Sequence, residues 1–115
     1  MTIRRIEPGQ RMSQAVVYAN TVYLAGQVGA AGASVADQTR AVLAQIDRLL
    51  GEAGSDKSRL LSATIWLADI GDFAEMNSVW DTWIDPANPP ARATGESKLA
   101  APGYKVEIIV TAACG

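Results

Sequence analysis

Two charged residues in the last quarter of the chain have the types and the setting that chemistry needs. Arg92 follows the rigid pair Pro89-Pro90, where a strand should begin, and its planar guanidinium group can grip a carboxylate through two hydrogen bonds. Glu107 lies inside an otherwise apolar strand, where a carboxylate is costly unless it is paired, hydrogen-bonded or facing a wet cleft. Together they predict a small site for an anionic substrate, with a carboxylate poised over water.

The amino-acid composition excludes several kinds of catalytic and metal-binding site. The chain has 115 residues, no histidine and a single cysteine, Cys114. This excludes Ser-His-Asp and Cys-His catalysis, histidine metal sites, zinc clusters and an intrachain disulfide. A net charge of −2 lacks the basic footprint of a nucleic-acid-binding protein. We therefore expect neither a metal site nor a nucleic-acid partner.

The length and the apolar pattern bound the organisation of the chain. No apolar run approaches the roughly 18 residues of a membrane helix, and the N-terminus lacks the apolar segment of a signal peptide. We expect a single domain over residues 1–115, located in the cytoplasm, with no membrane contact.

Hydrophobic periodicity predicts two helices and six strands. Apolar residues at steps of three and four indicate a helix over 34–53, with a capping-box-like start at Ser34 and Asp37 and a stop at Gly54. A tight turn is predicted at Asn20, and Gly26–Gly32 is expected to be a loop. The second helix is predicted over 73–84, and its core stripe comprises Phe73, Met76, Trp80, Trp83 and Ile84. The strands are expected at 3–6, 15–19, 22–25, 60–68, 92–98 and 104–112.

This order of elements predicts an α+β fold in which two helices cover one face of the sheet. Alternation along the strands places one set of side chains toward the helices: Leu61, Ala63, Ile65, Leu67, Val106, Ile108 and Val110. The other face receives Ser62, Thr64, Trp66, Glu107, Ile109 and Thr111. That face is too apolar to be simply solvated and no helix remains to cover it, so we expect an oligomer with its sheets turned inward.

Several short motifs, in this order, resemble those of the RidA family (reactive intermediate/imine deaminase, also called YjgF or L-PSP). The resemblance spans nearly the whole chain and rests on Tyr23–Val28, Gln38–Thr39, Gly54–Ser55, Leu67–Asp69, Asp72–Phe73, Met76–Asn77, Pro90–Arg92 and Val106–Ile108. It implies a chorismate-mutase-like α/β fold with a mixed sheet, a homotrimer, and three sites in the clefts between subunits.

The resemblance also implies an activity. Active members hydrolyse 2-enamine or 2-imine acids to 2-oxo acids and ammonium without a cofactor, so the partner would be a small carboxylate-bearing metabolite. Arg92 would hold the substrate carboxylate, Glu107 would orient or deprotonate the attacking water, and backbone groups near Thr94 and Ala25–Gly26 would line the pocket. An imine carbon is already electrophilic, so positioning and one general base can suffice.

Two positions depart from the deaminating pattern. Ala25 stands where those members carry a serine, and Met12 falls where they carry a tyrosine, whereas Gln14 still matches. The pocket would therefore be more apolar. Two alternatives stay open beside the imine deaminase: a non-catalytic trimeric binder or sensor of small molecules, and a deaminase specialised for an aminomuconate-type intermediate.

Overall fold

The structure, a computed structural model, describes all of residues 1–115. It contains seven strands in one mixed sheet, two α-helices and two single 3₁₀ turns at Lys57–Arg59 and Ile70–Asp72. The strands are β1 (Ile3–Pro8), β2 (Ser13–Tyr18), β3 (Thr21–Leu24), β4 (Gln27–Val28), β5 (Leu60–Leu67), β6 (Ala91–Glu96) and β7 (Val106–Ala113), and the helices are α1 (Val35–Glu52) and α2 (Phe73–Trp83).

The sheet has the strand order β1-β2-β3-β7-β5-β6, and β4 pairs with β7 beyond the end of β3. Every pairing is antiparallel except that of β5 with β6, which are joined by a crossover through α2. The predicted α+β class, with both helices on one face of a mixed sheet, is confirmed. β4 lies within the segment expected to be a loop, because two residues are too short to show any periodicity.

Helix α1 begins and ends where the sequence predicts. The Ser34 hydroxyl accepts a hydrogen bond from the Asp37 backbone N–H at 3.1 Å, and Gly54 follows the helix with a positive φ. Ser34 therefore satisfies one of the N–H groups that a helix start leaves without a partner. The expected turn between β2 and β3 is also present, but the left-handed residue is Ala19 rather than Asn20.

The core lies between the two helices and the sheet. Most of the side chains from the sheet and α1 that are fully excluded from solvent are apolar: Val22, Val42, Ile46, Leu49, Leu50, Ile65, Leu67, Val106, Ile108 and Ala112. The two polar exceptions, Gln38 and Thr39 on α1, are hydrogen-bonded. The predicted inward face of β7 is confirmed, since its buried residues alternate with half-buried Glu107, Ile109 and Thr111. None of the helices combines the length and apolar character needed to cross a membrane.

Two predicted core positions are wrong. Leu61 is 50% exposed while Leu60 is buried, because a β-bulge between Leu60 and Ser62 inserts one residue and shifts the alternation. Phe73, at the first turn of α2, is 39% exposed. Met76 and Trp80 are buried as predicted, whereas Trp83 and Ile84 pack half-buried at the edge of the core.

Candidate functional site

Arg92 is anchored to α2 by a neutral partner and by aromatic rings. Its Nη1 donates to Asn77 Oδ1 at 2.8 Å, and its guanidinium carbon lies 5.3 Å from the ring centre of Trp80 and 5.8 Å from that of Phe73. The ion pairs of the chain are made by other arginines, so no carboxylate of the chain neutralises Arg92. The fold therefore orients this half-buried cation while leaving its charge available to an anion.

The connection before β6 delivers Arg92 to this position. Three prolines between 86 and 90 prevent α2 from continuing, and Asp85 closes the turn by accepting hydrogen bonds from the Asn88 side chain and the Ala87 N–H. These two bonds, chiefly the one from Asn88, hold the pKa of Asp85 below its usual value. β6 then pairs with β5 in a register that sets Arg92 opposite buried Ala63, so its side chain points toward α2.

Thr94 lies two residues further along β6 and on the same face as Arg92. Its Oγ1 is the chain's one buried side-chain oxygen or nitrogen without a hydrogen-bond partner. Buried hydroxyls are normally bonded, so this unpaired group on the same face as a guanidinium that no carboxylate neutralises is unusual. Arg92 and Thr94 together form what we call the arginine half-site.

Glu107 lies on the opposite face of the sheet. Its carboxylate rests against Gly26 so closely that the carboxyl carbon would be 2.8 Å from a Cβ at that position, so a side chain there would have to displace the carboxylate. No hydrogen bond or ion pair within the chain occupies this half-buried carboxylate. A carboxylate held in place but not engaged can bind or deprotonate a ligand.

The backbone next to Glu107 is held by two glutamines. Buried Gln27 donates through Nε2 to Gln14 Oε1 at 3.0 Å and to the Ala25 carbonyl at 3.1 Å, and the Ala25 N–H donates to the Gln14 carbonyl at 2.9 Å. These bonds fix the backbone of Ala25 and Gly26, which connects β3 to β4. We call Gln14, Ala25, Gly26 and Glu107 the glutamate half-site. Met12 lies half-exposed just before β2 and bonds to neither half-site through its side chain.

The two half-sites do not meet within one chain. β6 and β7 are separated by β5, which puts them about 10 Å apart in the sheet. In addition, Arg92 points toward α2 and Glu107 points away from the helices. A single chain therefore presents a cation on one face and a carboxylate on the other.

The partners of Arg92 were only partly predictable. Asn77 accepts the hydrogen bond from Arg92, a residue 15 positions away that no local spacing links to it. A signal existed, because Phe73, Asn77 and Trp80 follow at steps of four and three and must share one face of α2. Glu96 has a structural role, since its carboxylate accepts a hydrogen bond from the Ile70 N–H at 2.9 Å.

The fold and the two half-sites define a small α+β protein without a metal cluster, since no three metal-ligating side chains converge. The family model described as Endoribonuclease L-PSP matches residues 2–114. A crystal structure of a YjgF family member from Neisseria meningitidis superposes with a TM-score of 0.97 at 48% identity, covering 100% of this chain and 97% of that one. The chain therefore belongs to the RidA (YjgF, L-PSP) family.

Related proteins are named in two ways, either by their family or by an activity. A RutC family protein of Haemophilus influenzae is 47% identical over 99% of this chain and 100% of its own length. A rat protein named 2-iminobutanoate/2-iminopropanoate deaminase is 33% identical over 90% of this chain and 80% of its own. The more similar relative thus has only a family name, and the more distant one has the name of an activity.

The unpaired hydroxyl of Thr94 leads to a stability prediction. Thr94→Val removes an oxygen that no group of the chain binds, so the free energy of unfolding should stay constant or rise slightly. Thr39→Val is the matched control, because buried Thr39 donates to the Val35 carbonyl at 2.7 Å. We expect that control to lose about 1 kcal/mol in urea denaturation. An equal loss in both variants would show that the Thr94 hydroxyl is bonded in the native protein.

Proposed function

We propose that the protein hydrolyses reactive 2-enamine and 2-imine carboxylates to 2-oxo acids and ammonium. The observation that carries the proposal is the pair of unengaged charges, Arg92 with only a neutral hydrogen-bond partner and Glu107 with none. A guanidinium suits the substrate carboxylate, and a free carboxylate suits a water molecule. The activity named for the rat relative supports the same reaction class.

The active unit in this proposal is an oligomer. Arg92 and Glu107 leave opposite faces of the sheet, so a ligand that touches both must lie between two copies of the chain. The face that carries Glu107 also leaves the aromatic side chains of Tyr23 and Trp66 partly exposed, so a second copy of the chain would find apolar surface to bury there. We propose that three copies bury this face, in the homotrimer that the family resemblance implies, with Arg92 of one copy opposite Glu107 of the next.

The reaction then needs few groups. Arg92 binds the substrate carboxylate and fixes the adjacent imine carbon, while Glu107 accepts a proton from a water molecule as its oxygen attacks that carbon. The resulting carbinolamine carries a hydroxyl and an amino group on one carbon. Glu107 returns the proton to the amino nitrogen, the carbon–nitrogen bond breaks, and the hydroxyl loses its proton as the carbonyl forms. The departing ammonia takes up that proton, so water and the protonated imine (iminium) are converted to 2-oxo acid and ammonium.

A second candidate function is binding without catalysis. Ala25 contributes a methyl group beside Gly26, where a deaminating site would have a hydroxyl donor, and Met12 contributes no phenol. A trimeric binder or sensor of small carboxylates would still require the arginine half-site, but the Glu107 carboxylate would not contribute to its function. The two functions therefore differ in whether the Glu107 carboxylate matters.

Exchange of Arg92 tests the carboxylate clamp. Arg92→Lys keeps the positive charge but loses the planar fork and its contact with Asn77, so the dissociation constant for 2-oxobutyrate should rise by about tenfold, equivalent to 1–2 kcal/mol. Titration calorimetry measures this value. Arg40→Lys, an exchange on the exposed side of α1, is the matched control and should bind like the wild type. Unchanged affinity in Arg92→Lys would remove Arg92 from the site.

Exchange of Glu107 separates the enzyme from the binder. Glu107→Gln keeps the size of the side chain but cannot accept a proton, so release of ammonium from freshly generated 2-iminopropionate should fall by roughly 10²–10⁴-fold. Glu52→Gln, at the exposed end of α1, should retain full activity. Wild-type protein that binds 2-oxobutyrate but releases no ammonium would support the binder, and hydrolysis that survives in Glu107→Gln would refute the mechanism.

A further inference from the structure

Trp66 is the one tryptophan of the chain that is exposed, at 37%, and it shares a row with Glu107. In the register of the sheet, Trp66 on β5 pairs with Glu107 on β7 and with Gly95 on β6. All three residues face away from the helices. Directly paired residues in a sheet have Cβ atoms about 5 Å apart, so the side chains of Trp66 and Glu107 leave the sheet side by side.

The indole and the carboxylate each rest on a glycine. Two atoms of the indole, Cζ3 and Cε3, lie 3.1 and 3.6 Å from the point where Gly95 would carry a Cβ, so this edge of the ring lies against Gly95. The Glu107 carboxylate instead rests on Gly26, between β3 and β4. The two side chains thus lean toward opposite ends of their row. The space between them is bordered by a carboxylate on one side and an aromatic ring on the other.

This combination attracts positive charge. The face of an indole is the negative end of its quadrupole and binds cations, and a carboxylate does the same through its full charge. The cation–π contacts of the chain lie at other rings: Lys57 lies over Trp83, and Arg92 lies near Trp80 and Phe73. No lysine or arginine of the chain contacts the Trp66 ring or the Glu107 carboxylate.

We infer that Trp66 and Glu107 together receive the protonated nitrogen of the ligand, and that Trp66 determines specificity for ligands with a positive charge next to their carboxylate. The inference rests on the proposed function, in which Arg92 of a second copy holds that carboxylate. It adds a consequence for turnover. The iminium substrate carries the positive charge that this pair binds, whereas the 2-oxo acid product does not, so the site releases its product more readily than its substrate.

Two ligands that differ only at the second carbon test the inference. Racemic 2-aminobutyrate carries an ammonium group there, and 2-oxobutyrate carries a neutral carbonyl. Titration calorimetry with wild-type protein should detect binding of both. Trp66→Leu should weaken binding of 2-aminobutyrate by about 5–30-fold and that of 2-oxobutyrate by less than twofold, because only the former makes a cation–π contact. Trp66→Phe, which keeps an aromatic ring, should lie between the wild type and Trp66→Leu.

The control is Tyr23→Leu, which removes another exposed aromatic side chain from the same face but from a different row. It should leave both affinities unchanged, and light scattering should give one assembly size for all variants. An equal loss of both ligands in Trp66→Leu, or failure of 2-aminobutyrate to bind wild-type protein that binds 2-oxobutyrate, would overturn the inference. Neither result would bear on the proposal that Arg92 binds the substrate carboxylate, because that proposal is tested separately by the effect of Arg92→Lys on the affinity for 2-oxobutyrate.

Discussion

Successive side chains of a β-strand point to opposite faces of the sheet, and this alternation decides where the candidate site residues of the protein can lie. Val106 and Ile108 must face the helices because they complete the core, so Glu107 between them must face away. Arg92 is bound to Asn77 on the helix side. The hydrophobic core therefore separates the two charges, and a ligand that contacts both requires a second copy of the chain.

Within each half-site, the local packing positions a charge without neutralising it. Asn77 supplies Arg92 with an oxygen that orients the guanidinium but carries no charge, and the rings of Trp80 and Phe73 border it. Gly26 gives the Glu107 carboxylate a surface to rest on in place of a hydrogen-bond donor. A conventional counterion at either residue would stabilise the isolated chain and compete with the ligand, which is why we regard these arrangements as functional.

The sequence predicts those parts of the fold that depend on regular periodicity. Strict alternation in β7 and the three- and four-residue steps of α1 gave both elements and their buried faces correctly. The prediction for Leu61 was wrong because a bulge inserts a residue and breaks the two-residue period. Strand β4 was not predicted because its two residues are too few to show a period. The bond from Arg92 to Asn77 joins residues 15 positions apart across a turn, so only the three-dimensional structure reveals it. The Glu107 contact with Gly26 is hidden from the sequence for the same reason.

The most direct test of the shared site is complementation between two inactive variants, Arg92→Ala and Glu107→Ala. In the proposed homotrimer, refolded from equal amounts of the two variants, about one interface in four combines an intact Arg92 from one copy with an intact Glu107 from the next. Our account predicts that each variant alone releases almost no ammonium from 2-iminopropionate, while the mixture recovers about a quarter of the activity of wild-type protein refolded in parallel. A mixture as inactive as its components, beside active refolded wild type, would contradict a site shared between copies.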